Sequence, residues 1–157
     1  MICQCVPAIS NPDKDHFESG QLMPVVFYIH GGGYANGENT VDMDNFIDAG
    51  GVVFAVSYRL GIWGFLWSPT ADEDGKHGNW GLLDQRLGME WVQKHGHLFG
   101  GDTGHVTLTG CSAGSESILW HMTSPMSWPY FQAVASVGIG LNVQWETELA
   151  TVCTDST

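Results

Sequence analysis

Positive charge is scarce in this sequence: five Lys and Arg stand against 17 Asp and Glu, and the 157 residues carry a formal net charge of −12. That balance excludes the basic footprint of a nucleic-acid binder and argues against an anionic membrane surface as partner. Long apolar runs are missing too, none approaching the roughly 18 residues that a membrane-spanning helix needs. Cys3, Cys5, Cys111 and Cys153 are too few and too scattered for a disulfide scaffold, and Cys3-x-Cys5 is too tight for ordinary zinc spacing. The opening Met1-Ile2-Cys3-Gln4-Cys5 lacks the basic-then-apolar order of a signal peptide, and no Asn-x-Ser/Thr acceptor occurs. There is no Gly-x4-Gly-Lys-Ser/Thr, and the glycines at 31–37 do not fit Gly-x-Gly-x-x-Gly, so a phosphate cradle is excluded. Neither an internal repeat nor a low-complexity tract interrupts the chain.

What is present suits one globular α/β domain: 43% hydrophobic residues, 14% charged residues and 21 glycines. Residues 1–21 are a polar, turn-rich lead-in with an edge strand expected near residues 3–9. Residues 24–30 (Pro-Val-Val-Phe-Tyr-Ile-His) form a short apolar run rich in β-branched and aromatic side chains, the signature of a strand buried on both faces. The run leads into Gly31-Gly32-Gly33, which frees the backbone to turn its N–H groups outward at the carboxyl end of a strand, where open α/β sheets bind ligands. A weak helical signal at 43–49 precedes a second buried-strand run at 51–58. Residues 62–80 read as a long surface loop, with Trp63, Phe65 and Trp67 expected in local packing.

The spacing predicts a helix over 81–95, with Leu83, Leu87 and Trp91 as its core stripe, widened by Leu82 and Val92, and ended by Gly96, Gly100 and Gly101. His95, His97 and His105 lack a Glu or Cys at ligand spacing and are expected to be solvated loop histidines, so no metal site is predicted. Next comes alternation at 105–109, then Gly110-Cys111-Ser112-Ala113-Gly114, then a helical run at 115–122. A strand, a tight turn with glycines on both sides of one serine and a helix make the nucleophile elbow pattern. A further strand is expected at 131–138. The alternation implies right-handed crossovers and an α/β fold with a mostly parallel central sheet and helices on both faces.

Taken in order, the motifs resemble the carboxylesterase type B family, which includes cholinesterases, detoxifying esterases and the non-catalytic neuroligins. They are Pro24-Val25 leading to His30-Gly31-Gly32-Gly33-Tyr34, Tyr58-Arg59-Leu60-Gly61 with Gly64-Phe65-Leu66, and Gly78-Asn79-Trp80-Gly81-Leu82-Leu83-Asp84-Gln85. Trp91-Val92-Gln93, Phe99-Gly100-Gly101-Asp102, Val106-Thr107, the elbow and Ser124-Pro125 complete the series, so that residues 22–140 are the best-matched part of a single partial domain spanning 1–157. The resemblance implies an α/β-hydrolase fold and hydrolysis of a small-molecule carboxylic ester through an acyl-enzyme, without cofactor or metal. It makes Ser112 the nucleophile and the amides of Gly32, Gly33 and Ala113 the oxyanion hole, with Trp145 and Tyr34 in the substrate pocket. It points to a secretory route only for a chain whose start is truncated, so localisation and the oligomeric state stay open.

Departures from the family pattern bear on these implications. Cys111 stands where the family has a glutamate, Thr103 replaces a proline, and Val137-Gly138-Ile139-Gly140 replaces a polar turn. Cys153 falls in a tail that looks like a later family segment reached early. In α/β-hydrolases the acid and histidine follow the serine, and the resemblance places both beyond Thr157. His121, nine positions along the elbow helix, would sit roughly 13 Å away in rise, out of hydrogen-bond reach, and matches a structural histidine of the family. His30 is the other candidate base, one that the family does not use. The alternative reading is a non-catalytic binding or adhesion module, which Cys111 and residues 137–140 favour and the retained Ser112 opposes.

Overall fold

The computed structural model describes residues 6–8, 20–40, 43–67 and 78–138. Five strands form one sheet in the order β1-β3-β2-β4-β5. They are β1 Val6–Ala8, β2 Met23–Ile29, β3 Val52–Val56, β4 Gly101–Cys111 and β5 Ala133–Val137. The helices are α1 Asp44–Asp48, α2 Gly61–Phe65, α3 Trp80–His95 and α4 Ala113–Thr123, with 3₁₀ turns at Gly96–Phe99 and Trp128–Tyr130. β2 pairs in parallel with both β3 and β4, and β4 with β5, whereas β1 lies antiparallel on β3. The expected edge strand is therefore present, and the sheet is mostly parallel.

The apolar runs behave as buried strands should. One face carries Val25, Phe27 and Ile29 of β2, Val52, Phe54 and Val56 of β3, and Val106 and Leu108 of β4. Met89 and Val92 of α3 and Ile118 of α4 close over it, and Phe27, Ile29 and Leu108 are 0% exposed. Each such side chain removed from water contributes about 1.5–3 kcal/mol. The opposite face is thinner, built from Val26, Val53 and Ile47 with Met43 and Phe46 of the α1 segment.

The core stripe of α3 differs from the expected one except at Val92. Its buried residues are Gly81, Gln85, Gly88, Met89 and Val92, while Leu87 is 47% exposed. The reason is close approach: a Cβ on Gly88 would meet Phe27 and Val56 at 3.1 Å, so this helix lies on the sheet through its glycine side. Leu83, Leu87 and Trp91 mark a neighbouring face, of which Trp91 still packs edge-on against Phe54, with centroids 6.2 Å apart. Trp63 and Trp67 depart from expectation as well, at 76% and 58% exposed, and only Phe65 packs, against Tyr34. His95 belongs to α3 and His105 to β4 rather than to loops; His97 and His105 are exposed, and His105 pairs with Asp102. The break after α3 falls at Gly100, which adopts φ 79°.

α3 is tied to the end of β3 by an ion pair. The Arg59 guanidinium donates Nε to Asp84 Oδ2 at 2.7 Å and Nη2 to Oδ1 at 2.8 Å, a bidentate fork that raises the arginine further above its usual range. The Arg59 side chain is 41% exposed, so screening keeps its contribution to roughly 1 kcal/mol or less.

Candidate active site

Ser112 sits at the junction of β4 and α4 with φ 54° and ψ −119°. Only Ser112 and Tyr34 hold positive φ among the described non-glycine residues. Such a conformation costs on the order of 1–3 kcal/mol and persists only where the surroundings enforce it. Here the flanking glycines allow that enforcement. A Cβ on Gly110 would lie 2.8 Å from the Ile29 carbonyl oxygen and from the Gly114 carbonyl carbon, and a Cβ on Gly114 would collide with the Ile29 oxygen. The turn is thus pressed onto the carboxyl end of β2. Ser115, fully buried, donates its hydroxyl to the Gly110 carbonyl at 2.7 Å and closes the turn from the helix side.

Pressing the elbow onto β2 brings the glycine loop beside it. A Cβ on Gly31 would strike the Cys111 oxygen at 2.5 Å and stand 3.2 Å from Ser112 Cβ. Gly32, Gly33 and Tyr34 then take φ values of 109°, 61° and 58°, a left-handed run that turns the backbone sharply at the strand end. The Gly32 carbonyl accepts from the amides of Ala35 and Asn36, both at 3.1 Å. Side chains and neighbouring segments hold this loop: Tyr58 donates its hydroxyl to the His30 carbonyl at 2.7 Å, and the Gly61 amide donates to the Tyr34 carbonyl at 2.6 Å. The Tyr34 ring rests on Phe65, with centroids 4.7 Å apart. Partial burial pushes the Tyr34 phenol up to about 12, so it is a neutral hydrogen-bonding group at neutral pH.

The helix dipole adds to the site. α4 begins at Ala113, so its positive end lies directly behind Ser112, where negative charge is stabilised. The Glu116 amide is already used, donating to the Ser112 carbonyl at 3.0 Å. Ser112 and Cys111 are both exposed.

No hydrogen bond joins the Ser112 hydroxyl to either histidine considered from the sequence. His30 turns Nδ1 to the Gly31 carbonyl at 2.8 Å and stacks on Tyr58 with centroids 4.4 Å apart. His121 uses both ring nitrogens elsewhere, Nδ1 meeting Ser127 Oγ and Nε2 meeting Gln85 Oε1, each at 3.0 Å. Burial, with Arg86 nearby, lowers its pKa to about 4, and it is neutral at pH 7.

The structure therefore places Gly31, the first residue of the glycine loop, against Cys111 and Ser112. Trp145 lies outside the described residues. Sequence reasoning missed Gln85 and Ser117, which join His121 in a buried polar chain; a glutamine four residues after Gly81 and four before Met89, on a glycine-marked face, was the available signal.

Residues 8–152 match the carboxylesterase family. The chain is 40% identical over 129 residues to pyrethroid hydrolase Ces2a of Mus musculus, covering 80% of this chain and 23% of that protein. It is 43% identical over 125 residues to liver carboxylesterase of Sus scrofa, with 77% and 21% covered. To acetylcholinesterase 1 of Caenorhabditis briggsae it is 37% identical over 130 residues, with 80% and 19% covered. The crystal structure of Geobacillus stearothermophilus carboxylesterase EST55 superposes with a TM-score of 0.70 at 32% identity, covering 74% of this chain and 27% of that one. The chain thus spans 19–23% of the length of these curated relatives. A family match through most of its residues, the superposition and a strained serine at the strand–helix turn lead to one conclusion: the chain belongs to the carboxylesterase family, with part of its α/β-hydrolase fold.

Proposed function

We propose that the chain carries the nucleophile and oxyanion half of a serine carboxylic ester hydrolase. Ser112 attacks the ester carbonyl, the alcohol leaves, and water then releases the acid from the acyl-serine. The amides of Gly32, Gly33 and Ala113 receive the oxyanion, each donor contributing about 3 kcal/mol to the transition state. Tyr34 lines the acyl or alcohol pocket, and Trp145 is proposed for the same pocket on sequence grounds. The substrate is a small neutral or cationic ester, in keeping with the net charge of −12. The observation that carries this reading is the φ of 54° at Ser112 with Gly31 packed against it. A binding module has no use for a strained, exposed serine.

His30 and His121 are engaged elsewhere, so neither serves as the activating base in these 157 residues. Turnover of a p-nitrophenyl ester by them should then stay near the residual ~10³–10⁴-fold over water that binding and an oxyanion hole supply. The test is a fluorophosphonate probe followed by peptide mapping. Slow phosphonylation confined to Ser112, and absent in Ser112→Ala, is expected. Adducts spread over other serines, or none at Ser112 after prolonged exposure to probe, would overturn the assignment.

A further inference from the structure

Four buried polar side chains behind the elbow form a chain that the ester-hydrolase reading does not use. Ser117 and Gln85 are 0% exposed, Ser127 1% and His121 3%. Ser117 Oγ donates to the Ala113 carbonyl at 2.9 Å and so accepts from Gln85 Nε2, 3.1 Å away. That orientation of the amide turns Oε1 to His121 Nε2, which must carry the proton. Nδ1 is left as the acceptor for the Ser127 hydroxyl. Every donor therefore points one way, from the turn at 124–127 through α3 to the first residue of α4.

A serine bonded to the carbonyl four residues back is ordinary within a helix. Three further buried partners arranged to orient it are not, because each adds a polar group that must be desolvated and satisfied. Ser117 Oγ also lies 3.5 Å from the Tyr34 hydroxyl; with the Ser117 proton on the Ala113 carbonyl, only the phenol can donate across this contact, and it is hydrogen-bonded to Glu116 as well. The chain ends, then, between the residue that follows the nucleophile and the residue that follows Gly33.

We propose that Ser117 is a positioning residue, its hydroxyl held by Gln85, His121 and Ser127 so that it sets the Ala113 peptide and the Tyr34 side chain, and hence the approach of the glycine loop to the elbow. This rests on the oxyanion roles proposed above, but one of its tests does not. In Ser117→Ala, native-state amide exchange should quicken about fivefold across residues 31–36 while residues 25–29 and 106–110 keep their protection. Unchanged exchange in the loop, or equal quickening in the strands, overturns the proposal. The second readout is phosphonylation of Ser112, expected to slow about tenfold at saturating probe with an unchanged half-saturating concentration, the mark of lost transition-state geometry rather than lost binding. A change in half-saturation alone would overturn it. If wild type takes up no probe, the ester-hydrolase reading fails and exchange still decides the positioning role. Should Ser117→Ala not fold, Tyr34→Phe removes the hydroxyl that meets Ser117 and Glu116 while leaving the Ser117–Ala113 bond in place, and about threefold faster exchange at 31–36 is expected, no change being the adverse result.

Discussion

The elbow at the end of β4 and the glycine loop at the end of β2 both hold residues in left-handed backbone and both depend on close glycine approaches, yet the loop carries several added tethers. The elbow is held by closeness: Gly110 and Gly114 let two backbones come nearer than any side chain would permit. The loop is held by tethers, with Tyr58 on the His30 carbonyl, the Gly61 amide on the Tyr34 carbonyl, and Phe65 and Ser117 on the Tyr34 side chain. Closeness fails abruptly when a methyl is added, whereas tethers fail one at a time. The proposed nucleophile is thus on the closely packed turn and the proposed oxyanion donors on the tethered one.

The largest effect should come from breaking closeness. Gly114→Ala sets a methyl against the Ile29 oxygen and within 3.0 Å of the His30 oxygen, and neither backbone atom can step aside. We expect a loss of roughly 4 kcal/mol or more in urea unfolding, together with loss of Ser112 labelling. Acid should come second. The pKa of His121 falls from 6.5 to about 4 on folding, so the neutral form favours the folded state. Its contribution, on the order of 3 kcal/mol, is fully present above pH 6.5 and lost as pH falls through about 4. His121→Asn should flatten this part of the stability profile between pH 6.5 and 4; an unaltered profile would show that the imidazole is not the group titrating. The smallest effect tests a single tether. Tyr58→Phe leaves the His30 carbonyl without its donor and should cost about 1–2 kcal/mol, loosening the loop but not the elbow.

The strands were legible because burial on both faces leaves an unbroken apolar run, as in residues 24–30 and 51–58. The elbow was legible because its turn admits so few residue types. Tertiary facts were harder to read. Glycines carry no hydrophobic signal, so the periodicity of α3 pointed to Leu83 and Leu87 when Gly88 lay on the sheet and Gly81 on Phe65 and the Arg59 carbonyl. Gln85 and Ser117 look like surface residues in a sequence, and only their mutual bonding inside the fold makes them core. The exposure of Trp63 and Trp67 follows from the placement of α2 on its segment, which composition does not encode.

Parallel pairing of β2 with β4 joins Ile29 to Gly110, residues far apart along the chain. Contacts of that kind form late in folding, because the intervening loop must close before they repay its entropy. Until they form, nothing presses on the turn, and Ser112 is free to relax into ordinary backbone geometry. The reactivity proposed for this serine would therefore be a clock for the long-range half of folding: it should appear with the β2–β4 register and not with the local formation of α4.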